Sequence, residues 1–572
     1  MQINKRRSEI KTQSIFDYRS FIDALEEAGV RRSRAYNIWQ SLIKKNINDI
    51  NKIKDVPKKV LKIIEEKFTI LNISVVNSWT SENGETTKLI FKLADSHEIE
   101  SVIMRYGKNE SGVNGNSGFR RISLCVSSQI GCRMGCMFCA TGSMGLRGSL
   151  LSGEIIQQLY YVRNVLGEPV RNVVFMGMGE PLENYTEVVD SIRFMIDQRL
   201  FSLSSGHILV STVGIPTNIV NLADDLPGIG LCLSLHAPNQ QLRERIIPIA
   251  RIYKITDLIR SLDVFIFKTI INRCYNKLID DRNKHLIKNN MSFDDILVSN
   301  RLLHNHKMIV IEYTLLKGIN DSVEQANELA ELLINTPIPK NIIDDLFQAR
   351  ESNAFNYCFN DNSEVNNDIL SNMNIINDKL KRNLIKTIYK ELSKNYNRIN
   401  FTLVNLIPYN KTSTSTQFST PSKETINEFA SVLGEHKIVV TIRRTMGDDI
   451  YGACGQLALK QDKEYNIEEL NDTSHSIKSY HFSQDCDNSS NYSDIDDSEF
   501  DVILYEDKKY NIPTLRSKIN DLDIFGFLYS SFSITKNYIK YHFMNNKLSI
   551  SLLVGTGIFA HYLLYRRIKN KF

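Results

Sequence analysis

Between residues 15 and 70 apolar residues recur at helical spacing. Phe16, Phe21, Leu25 and Ala28 mark one helix, which Gly29 ends. A second helix runs near residues 35–43, and Val56-Pro57 opens a third through Val60, Leu61, Ile64 and Phe68. The period then shortens. Residues 87–93 and 99–105, with a turn at Asp95-Ser96, read as a β-hairpin. Residues 107–118, rich in Gly, Asn and Ser, form a natural boundary.

From Arg120 a strand-then-helix rhythm sets in. Strands are predicted at 122–126, 172–176, 207–211, 230–235, 308–314 and 400–406. Nearly all their residues are apolar or β-branched, as in strands covered on both faces. The rhythm predicts an α/β fold with a parallel sheet. Two stretches interrupt it, at about 263–305 and 338–399, both rich in Asn, Lys, Asp and Ile. They read as insertions made of exposed helices or poorly ordered loops. Residues 484–501 carry seven acids among Ser, Asn and Tyr, the composition of a disordered linker. Leu548 to Tyr565 is an 18-residue run without Asp, Glu, Lys or Arg, followed by Arg566-Arg567. It reaches the lower length for a membrane span, although Ser549, Ser551, Thr556 and His561 dilute it. The alternatives are a C-terminal anchor and an interfacial or packed helix.

Composition narrows the picture modestly. Lys+Arg 70 against Asp+Glu 65 leaves +5, so any nucleic-acid surface must be a local patch. Nine cysteines in 572 residues are no secreted disulfide framework. No apolar stretch follows the basic start Met1-Gln2-Ile3-Asn4-Lys5-Arg6-Arg7, so no secretory signal is expected. A reducing, cytoplasmic setting is expected, qualified by the candidate anchor.

The cysteines cluster where chemistry is expected. Cys132, Cys136 and Cys139 stand at C-x3-C-x2-C spacing on the loop that leaves the strand at 122–126, with Cys125 seven residues upstream. Three thiolates on one loop can hold three irons of a cubane and leave the fourth open to substrate. Zinc usually takes four protein ligands, and no fourth is placed nearby in that way. Further polar strings close the later strands: Gly179-Glu180-Pro181, Ser211-Thr212-Val213-Gly214, Ser234-Leu235-His236, and Asn405. Strand C-termini are where a β/α barrel builds its active site. Cys454, in Tyr451-Gly452-Ala453-Cys454-Gly455-Gln456-Leu457, is a lone cysteine between glycines and a candidate nucleophile. Cys232, Cys274, Cys358 and Cys486 read as structural or incidental.

The triad with Phe138 before its last cysteine resembles the radical S-adenosylmethionine (SAM) superfamily. The longer string from Cys125 to Gly142, together with the Cys454 string, resembles its RlmN/Cfr-like RNA methyltransferases, nearest to the dual-specificity rRNA/tRNA adenine-C2 branch. The resemblance covers roughly residues 15–260, 306–337 and 400–458. It implies a partial (β/α)6 radical-SAM barrel with a small N-terminal helical accessory domain, insertions and a C-terminal tail. Residues 1–75 would be the accessory, RNA-contacting domain and 76–118 a β-hairpin and linker. Residues 119–460 would be the core, 461–545 an acidic low-complexity linker, and 546–572 the candidate anchor helix.

The resemblance also implies roles. Cys132, Cys136 and Cys139 would hold one [4Fe-4S] cluster. Gly179 and Glu180 would take the amino group of SAM; Ser211, Ser234, Leu235 and His236 would contact its ribose and carboxylate, and Asn405 its adenine side. Two SAM molecules would serve each turnover. Cys454 would take a methyl group from the first. A radical made from the second would activate that methyl for addition to the adenine ring. Cys125 would remove the ring proton, leaving a transient disulfide with Cys454. Glu100 matches the family's proton acceptor. The implied partners are structured RNA, namely rRNA with tRNA as a further candidate, and a low-potential electron donor; a monomer is expected. Methylation at carbon 8, or an inactive RNA-binding or membrane-tethered derivative, are the alternatives. Two departures from the family string, Met446 for arginine and Gly148-Ser149 for an asparagine after Arg147, spare every catalytic position.

Overall fold

The computed structural model describes residues 10–47, 49–108, 119–283, 309–335, 385–386, 389, 396–412 and 417–457. All belong to one compact unit, residues 1–504. The acidic linker, the apolar tail, Cys358 and Cys486 lie outside the described residues. Among those described, no helix is long and apolar enough to cross a membrane.

Three amphipathic helices open the fold: α1 (Tyr18–Glu27), α2 (Ser33–Ile43) and α3 (Lys58–Lys67). Asp17 caps α1 by accepting from the Ser20 N–H. Their apolar faces close around Trp39, which is fully buried and donates its indole N–H to the Ile15 carbonyl at 2.8 Å. Trp39 also meets Phe194, and Phe16 meets Tyr160, at ring-centroid distances of 5.0 and 4.8 Å. The helical unit therefore shares its core with the helices that cover the barrel. Truncating Trp39 to alanine would cost about 3–5 kcal/mol.

Ten strands of the described residues make one sheet. Four come first and pair antiparallel: β1 (Ser74–Thr80), β2 (Thr86–Lys92), β3 (Glu98–Lys108) and β4 (Phe119–Cys125). A small hairpin follows, β5 (Gln129–Cys132) with β6 (Gly145–Ser149). The remaining strands add in parallel to the other edge of β4: β7 (Asn172–Phe175), β8 (Ile208–Thr212), β9 (Gly230–Ser234), β10 (Ile309–Leu315), β11 (Thr402–Pro408) and β12 (Val440–Ile442). The order across the sheet is β12-β11-β10-β9-β8-β7-β4-β3-β2-β1. It is an open, partial barrel with the six expected parallel strands. β12 adds a seventh, too short to announce itself by pattern.

Strand alternation sorts the side chains. One face carries Leu124, Val173, Val210, Leu231, Ile311 and Val404, buried in the main core under the helices. Register puts Cys125, Val174, Leu209, Gly230 and Cys232 on the other face, and above them Ser211, Ser234, Glu312, Asn405 and Thr441. Cys232, Val310 and Leu403 plug the floor of this inner face. Polar residues crowd its upper end.

The first interruption is not an exposed segment at its start. A long helix runs Ile255–Asn283, and its Leu262, Val264, Phe265, Phe267, Ile270, Ile271 and Cys274 are buried. It packs on the helix Pro216–Asp225, with Lys268 Nζ 2.6 Å from Asp224 and Asn272 donating to the Ala223 carbonyl. On another side Arg398, from the second interruption, grips Asp263 with two bonds of 2.7 Å, and Tyr396 donates to the same carboxylate. An Asn- and Lys-rich window hid this apolar segment, because a helix enclosed on several sides has no simple stripe.

Candidate active site

The cysteine loop springs from the small hairpin. Cys132 ends β5, and the chain then turns so that Cys139 precedes the short helical turn Ala140–Ser143. Cys132, Cys136 and Cys139 are half-buried and pack against Met134, Phe138, Val213, Leu242 and Ile246. Burial pushes the Cys132 thiol up to about 12, against the Met134 N–H that favours its thiolate. It raises Cys136 well above the usual range, with Cys139 and Cys132 adding to it and Arg243 opposing. Cys139 is raised as well, by burial, while the Gly142 and Thr141 backbone donors oppose. Among the described residues no three of His, Cys, Asp or Glu close on a single metal ion. A cubane spreads its thiolates over separate irons, and N–H···S bonds and a buried cation suit its anionic sulfurs. The donor set therefore fits a cluster better than a lone zinc.

The cation is Arg243, fully buried on the helix Gln240–Ile246. Its guanidinium donates to the carbonyls of Leu235, Val213 and Ser234 at 3.1, 2.5 and 3.3 Å. Burial pulls it down to about 10, with Cys136 opposing. Arg243 thus ties the C-terminal ends of two strands to the cysteine loop. Nothing in the string Gln241-Leu242-Arg243-Glu244-Arg245 marks it from sequence.

The strand-end motifs meet at the same end of the barrel. Gly179 has φ +104°, and a Cβ there would stand 2.5 Å from Gln129. That close approach lets the Glu180 N–H donate to Gln129 Oε1 at 2.8 Å. The Glu180 carboxylate accepts from the backbone N–H groups of Leu182 and Val213 at 2.9 and 2.8 Å. Burial pushes it up to about 7, with those donors opposing. Ser211 and Ser234 face each other, their hydroxyls 3.2 Å apart. His236 adopts φ +57°, an uncommon conformation for a non-glycine residue. Asn320 donates to its carbonyl and the Thr314 N–H to its Nδ1, at 2.8 and 2.9 Å. Burial and then Arg243 lower its imidazole to about 3, so the ring is neutral and its Nε2 carries the proton. Phe138 of the cysteine loop packs edge-on against it at 4.9 Å.

Two expected contacts are differently employed. The Leu235 side chain is buried, its N–H donates to the Glu312 carbonyl, and its own carbonyl takes Arg243. Asn405 is fully buried: its Nδ2 donates to Glu312 at 2.8 Å and its Oδ1 accepts from Thr441 at 2.9 Å. Five residues on, Asn410 lines the cavity instead and donates to the Cys454 carbonyl at 3.0 Å.

That cavity joins the remaining pair. It is lined by Val102, Met104 and Tyr106 of β3, by Cys125, by Met176, and by Arg443, Met446 and Cys454 from the segment after β12. The Cys454 loop is docked on the cysteine loop. Ala140 N–H donates to the Gly455 carbonyl at 2.8 Å, and the Thr141 hydroxyl to the Leu457 carbonyl at 2.6 Å. Gly455 permits this with φ +83°. On its other flank the loop meets the β1–β2 hairpin: Arg444 pairs with Glu85 at 2.7 Å, and Glu82 N–H donates to Asp449. Lys88 Nζ lies 3.3 Å from the Tyr451 carbonyl and 3.7 Å from the buried Glu100 carboxylate. Glu100 precedes Val102 by two residues and so shares its face of β3.

Cys125 is buried, which pushes its thiol up to about 12; Cys454 adds to this, and Arg443 and a Met176 backbone bond oppose. Burial acts to lower Arg443, but Cys454, Glu312, Tyr106 and Cys125 outweigh it and hold the guanidinium above its ordinary range. A permanent cation thus lines the cavity with the two thiols. Arg443 precedes the Cys454 string and nothing in the sequence pattern marks it. Its position directly after an edge strand could have been found only by recognising β12.

The chain matches no family model. The ribosomal RNA large subunit methyltransferase N of Nitrosopumilus maritimus (strain SCM1) is 32% identical over 435 residues, covering 75% of this chain and 93% of that protein. The probable dual-specificity RNA methyltransferase RlmN of Bacillus licheniformis is 30% identical over 467 residues, 80% of this chain and 98% of that one. Among solved structures, a radical SAM methyltransferase from Sphaerobacter thermophilus matches with a TM-score of 0.55 and 27% identity, over 78% of this chain and all of that one.

Proposed function

Because the chain belongs to the RlmN family of radical SAM RNA methyltransferases, we propose that it methylates carbon 2 of an adenine in large-subunit ribosomal RNA, with transfer RNA as a second substrate. The observation that carries this reading is the docking of Cys454. A residue more than three hundred positions from the cysteine loop is held against it, in a cavity that also holds Cys125.

Each side chain then has a task. Cys132, Cys136 and Cys139 would hold a [4Fe-4S] cluster, and the chemistry it would supply is the electron that cleaves SAM to a carbon radical. Glu180 takes the ammonium of SAM, and Ser211, Ser234 and the Nε2–H of His236 take its ribose and carboxylate. Asn410 serves the adenine side, held in place by Cys454. Cys454 would accept a methyl group by displacement from the first SAM, and after loss of one hydrogen from that methyl its carbon would bond to the ring. Cys125 would take the ring proton, Glu100 would receive it onward, and the electron would return to the cluster. The Cys125 thiolate would then close a disulfide on Cys454, breaking the sulfur–carbon bond and releasing the methylated base, and an external reductant would reopen the disulfide. Arg443 favours the Cys125 thiolate. The helical unit of residues 1–75 contacts RNA outside the barrel.

The test is direct. Protein reconstituted without oxygen is given SAM, a reductant and unmodified large-subunit RNA, and the nucleosides are separated by mass. The reading expects 2-methyladenosine. 8-Methyladenosine alone would overturn the carbon-2 assignment, and no cluster absorbance with no 5′-deoxyadenosine would overturn the enzyme. Cys454→Ala is expected to abolish methylation while SAM cleavage persists.

A further inference from the structure

Strands β3 and β4 pair antiparallel with Val102 opposite Cys125, Met104 opposite Ser123 and Tyr106 opposite Arg121. Directly opposed residues share a face, so these three rungs form one ladder on the inner side of the sheet. Its first rung holds the thiol of Cys125. Along β3 the ladder emerges from the core: Val102 is 3% exposed, Met104 is 8%, Tyr106 is half-buried and Gly107 is exposed. Tyr106 therefore stands where the cavity opens, four residues and about 13 Å along the strand from Val102. The guanidinium carbon of Arg121 lies 4.3 Å from the centre of the Tyr106 ring. Across the opening are Arg444 and Thr445, both exposed.

What sets this arginine–aromatic pair apart from those of Arg199 with Tyr36 and Arg163 with Phe201 is the place of Tyr106 in the lining of the cavity that holds Cys125 and Cys454. An aromatic ring with a guanidinium on it is the surface on which single-stranded nucleobases stack, since every base has a π-face and a cation strengthens the contact. We propose that Tyr106 and Arg121 form a stacking platform that holds a nucleobase of the RNA strand as it enters the cavity, a role that rests on the RNA-methylating reading above. The backbone of Tyr106 lies about 13 Å along the strand from the level of Cys125, so the platform holds a base of the strand other than the one that reacts. It acts first on RNA affinity. The Tyr106 hydroxyl is 3.5 Å from Met104 Sδ and is not the essential part.

Two measurements on the cluster-loaded full chain decide this: equilibrium binding of a labelled large-subunit RNA hairpin, and single-turnover methylation up to saturating RNA. Tyr106→Leu keeps apolar bulk and removes the ring. It is expected to weaken binding by about tenfold or more, the scale of one stacked base, and to raise in step the RNA concentration that gives half the saturated rate. Arg121→Met is expected to weaken binding by a smaller factor. Tyr106→Phe and Tyr106→Trp keep a ring and should bind as the wild type does. Unchanged binding by Tyr106→Leu, or equal loss in Tyr106→Phe, would overturn the platform. So would a fall in the saturated rate with binding intact. Iron content and RNA-free methylation of Cys454 show that each variant is folded. Wild-type protein that binds the hairpin and methylates nothing would sink the proposed reaction, while the binding arm still decides the platform.

Discussion

Two groups of thiols occupy this barrel, and each faces one arginine. The cysteine loop is local: three thiols within eight residues, on a turn shaped by its own backbone. Its arginine, Arg243, is fixed by carbonyls at the ends of two strands, and burial lowers it. The other group is Cys125 and Cys454, brought together only by the fold. Its arginine, Arg443, is held above its ordinary range by the negative groups around it, the two thiols included. One arginine belongs to the scaffold and the other to the reacting groups. Removing a cation should therefore have different consequences in the two places.

The largest effect should separate the groups outright. Cys139→Ala is expected to lose cluster absorbance, SAM cleavage and RNA methylation together. Cys125→Ala should keep the first two and lose only the third. Retained methylation in Cys125→Ala would break the division between a radical-making loop and a radical-using pair.

The arginines give a smaller, graded test. Arg443→Met removes the cation that opposes the rise of the Cys125 thiol. A charge-assisted contact of about 1.5–3 kcal/mol corresponds to roughly 10- to 150-fold, so RNA methylation should slow by that factor. Iron content should stay normal, and Arg443→Lys should restore part of the rate. Arg243→Met should instead take a donor from the carbonyls of Leu235, Val213 and Ser234, costing about 1–3 kcal/mol for each one left unsatisfied and appearing as a fall in unfolding temperature. Equal loss of stability in both variants would erase the distinction.

This contrast also explains what could be read from sequence. The parallel strands and the cysteine loop were legible because apolar runs and close spacing are local facts. The strands predicted at 308–314 and 400–406 lie at Ile309–Leu315 and Thr402–Pro408. The buried start of the first interruption was not legible, because Asp263 is satisfied by Arg398, 135 residues away. Arg243 and Lys88 escaped for the same reason: their partners are the carbonyls of Val213 and Tyr451. Asn405 and Asn410 share one string, and only the fold tells which side chain is spent inside the barrel and which reaches the cavity.

The smallest effect lies on pH, and it again divides the two regions. Burial holds Glu180 up at about 7, whereas Cys125 is up at about 12. In the proposed reading the SAM ammonium pairs with the Glu180 carboxylate, the charged form. Above pH 7 that form is already present and affinity should be flat. Below pH 7 the empty site is protonated, and binding must first expel the proton. The apparent Kd for SAM on cluster-loaded protein should therefore rise about tenfold between pH 8 and pH 6. Glu180→Gln cannot titrate, so its weaker binding should not change over the same range. Cys125 is not assigned to the SAM ammonium in this reading, so Cys125→Ala should follow the wild-type curve. A wild-type Kd that stays flat from pH 8 to pH 6 would mean that the Glu180 carboxylate serves only the Leu182 and Val213 backbone, and that the ammonium is held elsewhere.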